Sequence, residues 1–399
     1  MTNNGWLESS IGDLCKFTNG RGFTPAEWSD KGLPIIRIQN LNGSTDFNYY
    51  EGETEERWVV LPDDILFAWA GTKGVSFGAT IWKGSKGVLN QHIYRVHPKN
   101  GVDRMWLYYA LQVVTSRIEK KAHGFKSTLL HVQKADITRQ PISVPPLLEQ
   151  TKIAAILLTW ETAIEHNEKL IAAKDKHKYS LMQQLLTGKK RFQGFTGQEW
   201  KQVYLVDICK INDRTLSEKT HPDYEFTYLD ISSVDKGKVS LSESQICFSN
   251  APSRARRVIQ KNDVIMSTVR PNLQSFAFIN DEVQDLIGST GFAVLTANES
   301  VDPRFIYHNL FSDGFTEQIK AFITGSSYPA INPSQVSALK LLLPPLEEQR
   351  CIASVLETCD QEIGLLRKQL AALKRQKRGL MQKLLTGQIR VKVAQEAAS

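Results

Sequence analysis

The chain has 399 residues, enough for two or three domains with real cores, and its 41% apolar and 23% charged content exclude a disordered or fibrous polymer. A balance of 49 basic against 42 acidic residues gives a net charge of +7 and a pI near 9.0, a mild tilt towards nucleic acid or another polyanion. Five scattered cysteines without a CxxC pair (Cys15, Cys209, Cys247, Cys351, Cys359), a polar Met1–Ser10 and the lack of any apolar run near the roughly 20 residues of a membrane span point to a reduced, cytoplasmic protein.

Taken in chain order, the first half opens with Trp6 and the run from Ile11 to Lys16. Short β-rich pieces follow at Val59–Leu61, Ile65–Ala68, Ala79–Trp82 and Ile93–Val96, broken by Gly, Asp and Lys-Gly turns. Helical spacing covers Trp106–Val114. The pair Pro145–Pro146 then opens a long helix, which Gly188 closes as a left-handed cap. The second half repeats this plan. Trp200 leads the run from Leu205 to Lys210, and strands are expected at Thr227–Ile231, Asp263–Thr268, Ser275–Ile279 and Gly291–Leu295. A helix is expected over Phe305–Phe311, and Pro344–Pro345 opens a second long helix closed by Gly387.

The duplication is sharpest in the long helices. Residues 145–192 align without a gap on 344–391, with about 22 of 48 positions identical. Apolar positions step by alternating fours and threes, the period of a coiled-coil seam. The first stripe is Ile153, Leu157, Trp160, Ile164, Asn167, Ile171, Lys174, Lys178, Leu181 and Leu185. The second is Ile352, Leu356, Cys359, Ile363, Leu366, Leu370, Leu373, Lys377, Leu380 and Leu384. A narrow stripe on so long a helix needs a partner, and a globular segment separates the copies, so an antiparallel pairing with approximate two-fold symmetry is expected. The fold class is therefore α+β: two pseudo-symmetric mixed α/β domains separated by two long helices paired as an antiparallel coiled coil. The expected boundaries are 1–144, 145–192, 193–343 and 344–391, with a tail at 392–399.

Catalytic signatures are missing. The sequence has no GxxxxGK[ST], no strand-led GxGxxG, no HExxH and no His/Cys cluster with metal-ligand spacing. Turns rich in Arg, Lys, Asn and Gln beside expected strands are the candidates for DNA contact, because these side chains match phosphates and base edges. In the first half they are Arg37, Gln39, Asn40 and Asn42; Thr72 and Lys73 in a glycine-flanked turn; Asn90 and Gln91; and Lys126. In the second half they are Arg254, Arg256 and Arg257; Arg270, Asn272 and Gln274; and Ser327 with Tyr328. Any single turn also reads as a solvated loop, and matching positions in both halves strengthen the set. Trp58, Trp69, Trp82 and Trp106 read as base-stacking rings or as core, with alternation favouring core. The basic run Lys374, Arg375, Lys377, Arg378 and Lys383 reads equally as a phosphate-facing surface or a solvated flank.

The doubled pattern Pro-Pro-Leu-x-Glu-Gln, Ile-Ala and Leu-Met-Gln-x-Leu-Leu-Thr-Gly, at the ends of two divergent halves, resembles that of type I restriction–modification specificity subunits, over essentially the whole chain. The resemblance implies two target recognition domains that read the halves of a split, asymmetric site on double-stranded DNA. The paired helices would set the spacer between the halves. It also implies a non-catalytic subunit that scaffolds two methyltransferase subunits and, through them, restriction subunits. Those partners, not this chain, would bind S-adenosylmethionine, ATP and Mg²⁺. Two rival readings are a stand-alone sequence-specific regulator and a coiled-coil adaptor whose globular halves bind proteins. A fused methyltransferase is opposed by the missing cofactor loops.

Overall fold

The computed structural model describes residues 5–121, 129–323 and 329–392. The chain divides into two compact units, one of residues 1–168 with 369–399 and one of residues 169–368. Each unit thus combines one globular segment with half of each long helix.

In the first unit a buried antiparallel sheet runs in the order Cys15–Asn19, Ile93–Pro98, Ile65–Ala68, Gly78–Ile81. Ile65–Ala68 is apolar at every position and buried at every position, as a strand covered on both faces must be. A second sheet follows the order Tyr49–Tyr50, Leu33–Ile36, Gly87–Leu89, Val59–Val60, and its one parallel pair sets Ile35 opposite Val88. The helix Arg104–Lys121 packs Trp106, Tyr109, Leu111 and Val114 into the core with Trp6, Phe67 and Phe77. Leu384 and Leu385, from the end of the second long helix, join the same core.

The second unit repeats that topology. Its first sheet is Cys209–Ile211, Phe292–Ala297, Val264–Ser267, Phe276–Phe278, and its second is Ile246–Cys247, Glu225–Leu229, Leu286–Ser289, Ala255–Ile259. The single parallel pair is in the same place, with Thr227 opposite Leu286. Phe276, Phe305 and Phe315 fill the core, joined by Met182 and Leu185 from the end of the first long helix and by Leu186 just after it. In each unit the leading Trp segment pairs with the strand before the Pro-Pro motif: Leu7–Ser10 with Pro141–Val144, and Lys201–Tyr204 with Lys340–Leu343.

The long helices run over Leu147–Leu185 and Leu346–Leu385. Gly188 and Gly387 close them at φ +70 and +72, the left-handed cap that glycine accepts without steric cost. Every stripe position is buried or half-buried, including the polar Asn167, Lys174, Lys178 and Lys377. Within the first unit Lys377 pairs with Glu161 and Lys374 with Glu168. Within the second, Lys178 pairs with Asp360 and Lys174 with Glu362. As one residue number rises its partner falls, so the helix segments are antiparallel in both units.

Several elements differ from the sequence reading. The helix expected at Trp106–Val114 runs to Lys121, and the one expected at Phe305–Phe311 ends at Leu310 and is followed by a helix Asp313–Ile323 that the sequence reading did not assign. The turn from Arg37 to Asn42 contains one helical turn, Ile38–Leu41. Leu7–Ser10 carries no apolar alternation, and its Leu7 is exposed, so nothing local marks it as a strand.

Candidate nucleic-acid interface

Both units project a turn from the same place in the first sheet, between its last two strands. In the first unit it spans Gly71–Ser76 and is pinned from several sides. Thr72 N donates to Ser76 Oγ (2.7 Å), Val75, Ser76 and Phe77 N all donate to Thr72 O, and Gly74 N donates to Glu119 (2.7 Å). Gly71 has φ +156, and a Cβ there would lie 2.7 Å from Ser76 Oγ, so only glycine fits without displacement. The strand Ala70–Thr72 pairs with Leu129–His131.

The second unit builds the turn differently. Arg270–Gln274 encloses a short 3₁₀ segment, Pro271–Leu273, and both flanking residues are left-handed at φ +48 and +58. Arg270 N donates to Pro329 O (2.7 Å), and Val269 bridges Ala330. Ser76 and Phe77 of one turn correspond to Ser275 and Phe276 of the other, and both phenylalanines are buried. Of the candidate side chains, Thr72, Arg270 and Asn272 are exposed, while Lys73 and Gln274 are half-buried.

The remaining candidates separate. Gln39, Asn42 and Gln91 are exposed and Asn90 is half-buried. Arg37 is half-buried, its guanidinium 5.5 Å over the Trp28 ring. Asn40 leaves the set: it is 6% exposed, its Oδ1 accepts from Arg37 N and its Nδ2 donates to Ser44 O and Asp46 O, so the amide is spent holding its own loop. The three arginines expected to form one basic cluster point to different partners. Arg254 lies against Tyr228 and Asp230, which hold its guanidinium firmly charged. Arg256 lies 4.6 Å over Phe248. Arg257 donates to Thr215 Oγ (3.1 Å), and burial lowers its pKa. A β-bulge between Ala255 and Arg257 re-aims this strand. Lys126, Ser327 and Tyr328 lie outside the described residues. Trp58, Trp82 and Trp106 are buried, so among the four tryptophans only Trp69 offers a half-exposed face, beside His131 (4.7 Å) and His92 (5.2 Å).

Sequence reasoning missed two features. Arg21 is enclosed by Phe23, Tyr50 and Trp58 at 5.0, 5.2 and 5.1 Å and bonds Glu27. The signal was weak, because Tyr50 and Trp58 lie far in sequence from Arg21, Phe23 and Glu27. The second is an exposed aliphatic side chain in each matched turn, Val75 at 67% and Leu273 at 55%. An apolar residue inside an otherwise polar turn of both halves is visible in the sequence.

The Pro-Pro-Leu-x-Glu-Gln motif positions each unit on its helices. Glu149 is 2% exposed and accepts two bonds from Arg390 (2.8 Å each), one from Trp6 Nε1 (3.1 Å) and one from Val391 N (3.2 Å). Burial opposes its ionisation, but these donors outweigh it and hold the carboxyl below the usual range. Glu348 repeats the arrangement with Arg191 (2.6 and 2.7 Å) and Trp200 Nε1 (3.1 Å). The next residue is equally fixed: Gln150 accepts from Asp103 N and donates to Pro145 O, and Gln349 accepts from Asp302 N and donates to Pro344 O. Among the described residues no group of three or more His, Cys, Asp or Glu is placed to hold a metal ion, and no helix is long and apolar enough to cross a membrane.

Comparison with known proteins is consistent along the chain. It is 27% identical over 411 residues to the type I restriction enzyme MjaVIII specificity subunit of Methanocaldococcus jannaschii, covering 97% of this chain and 93% of that protein. It is 29% identical over 157 residues to the EcoBI specificity subunit of Escherichia coli, covering 39% and 32%. The crystal structure of a type I restriction–modification S subunit from M. genitalium superposes with a TM-score of 0.58 at 17% identity, covering 96% of this chain and 97% of that one, a likeness of fold. The model of the type I restriction modification DNA specificity domain matches twice, over residues 3–173 and 197–375, and the chain belongs to that family.

Proposed function

We propose that the chain reads a bipartite, asymmetric DNA target for a type I restriction–modification complex, one half-site per unit, and scaffolds the methyltransferase and restriction subunits that perform the chemistry. The observation that carries this reading is the pair of units with one topology and different turns at matched positions. A common frame with different side chains suits two readers of the same kind with different targets, and two different readers give a non-palindromic site. The Trp–Glu–Arg arrangement at Glu149 and Glu348 supports it further, because readers of a split site must be held firmly on the helices that space them. In this proposal S-adenosylmethionine, ATP and Mg²⁺ are held by the partner subunits, two of them methyltransferases.

The test is to map adenine methylation genome-wide in cells that express this chain with its neighbouring methyltransferase subunit, against cells that lack it. A split asymmetric motif that appears only with this chain is the expected result. An unchanged methylome, with both proteins expressed and associated, would favour the regulator or adaptor readings instead.

A further inference from the structure

The matched turns place an aliphatic side chain where solvent would ordinarily select a polar one. Val75 and Leu273 are exposed, and each belongs to a turn fixed by backbone hydrogen bonds at both ends. The second turn also holds two non-glycine residues, Arg270 and Gln274, at positive φ. L-residues adopt that conformation only when the surrounding structure imposes it, and strain of this kind concentrates where geometry serves a ligand. The two turns are built differently, and Val75 stands at the place of Gln274 and Leu273 at the place of Gly74, yet each unit presents a fixed turn with one aliphatic group exposed.

Resting on the reading of each unit as a half-site reader, we infer that Val75 and Leu273 recognise thymine 5-methyl groups in the major groove. The thymine methyl is the one apolar group on a base-pair edge of that groove, and the same A·T pair offers adenine N7 and N6 to an amide side chain. Leu273 is flanked by Asn272 and Gln274, so the second turn carries both halves of the A·T pattern side by side. Val75 is preceded by Thr72 and Lys73, a hydroxyl and an ammonium, so the first turn combines a methyl contact with hydrogen bonds of another kind. A shape-fixed turn suits this task, because a methyl contact discriminates only when the aliphatic group is held at van der Waals distance.

The experiment uses the full chain with its methyltransferase and duplexes that carry the methylation target, each thymine of both half-sites replaced singly by uracil, which lacks only the methyl group. In the wild-type complex, uracil at one position of the half-site read by the second unit is expected to weaken binding roughly three- to ten-fold. Leu273→Ala should bind the thymine duplex that much more weakly and become indifferent to the same replacement. Val75→Ala should do the same in the other half-site only. Both side chains are exposed, so unchanged thermal midpoints are expected for both variants. The inference is overturned if Leu273→Ala keeps wild-type affinity and thymine preference, or if it loses affinity equally for target and scrambled duplexes. A wild-type complex that does not separate target from scrambled duplex would sink the half-site reading itself, before any variant is measured.

Discussion

At the residue scale the two buried carboxylates Glu149 and Glu348 are the most exacting positions. Removing Arg390, whose side chain is 43% exposed, leaves Glu149 buried against Trp6 without its cation, and an unpaired buried carboxylate is costly. Water reaches the Arg390 side of the pair, so Arg390→Ala is expected to destabilise by roughly 1–2 kcal/mol at pH 7, less than the loss of a fully buried pair. The wild-type carboxyl titrates below its unfolded value, so its stabilisation is present above that value and is lost as pH falls through the folded one. In the variant the lost cation raises the folded pKa, so the gap to wild type should narrow between pH 7 and pH 4 in urea titrations. A gap that is constant with pH would mean that Arg390 acts by packing alone. His308 is the opposite case. Burial, with Lys178 and Arg304 adding repulsion, pushes its imidazole down to about 3, and its Nδ1 has no partner among the described residues. Below about 6.5 the unfolded chain takes up a proton that the folded chain refuses, so stability falls as pH drops towards 3. His308→Phe should therefore gain roughly 2 kcal/mol relative to wild type between pH 7.5 and pH 5. Equal pH profiles for the two proteins would exclude that role. Neither position was legible as titratable machinery in the sequence. Glu149 was visible as a repeated motif residue, but its partners lie at opposite ends of the chain, and no local pattern brings Trp6, Glu149 and Arg390 together.

At the scale of elements the long helices were the most legible feature, because their seam is set by local spacing and each stripe residue does turn inward. Their orientation is also written in charge. The first helix carries Glu161 and Glu168 early and Lys174 and Lys178 late, and the second has Asp360 and Glu362 early and Lys374 and Lys377 late. Antiparallel pairing sets acid against base at all four pairs, whereas parallel pairing would set like against like. Asn167 interrupts the apolar seam and is 8% exposed, with no partner for Oδ1 among the described residues. Replacing an unmatched buried polar group with an apolar one relieves its desolvation. Asn167→Leu should raise stability by about 1 kcal/mol and the thermal midpoint by a few degrees. A drop in the midpoint would show that the amide is satisfied and fixes the register. The short strands were legible where apolar runs are buried on both faces, as at Ile65–Ala68, and illegible where pairing is long-range and one face is wet, as at Leu7–Ser10.

At the scale of the whole molecule the duplication was readable and the exact readers were not, because base recognition depends on which turn side chains the fold exposes. Asn40 has the right chemistry and is buried; Leu273 has the wrong composition for a turn and is exposed. What the duplication does permit is a prediction about spacing. Each unit takes one half of each long helix, so both helices continue from one unit into the other between Glu168 and Lys169 and between Lys368 and Gln369. Four residues inserted after Glu168 and four after Lys368 leave the pairs Glu161–Lys377 and Glu168–Lys374 intact on one side and Lys174–Glu362 and Lys178–Asp360 intact on the other. At about 1.5 Å per residue each insertion adds about 6 Å of helix, close to two base-pair steps of about 3.4 Å. If the paired helices set the spacer, the methylated motif should keep both half-sites and gain about two unspecified base pairs between them. The same four residues inserted at Gly194, in the segment after the first helix, should leave the motif as it was. A spacer that stays constant in the doubly inserted protein, with methylation retained, would show that something other than helix length fixes the distance between the half-sites.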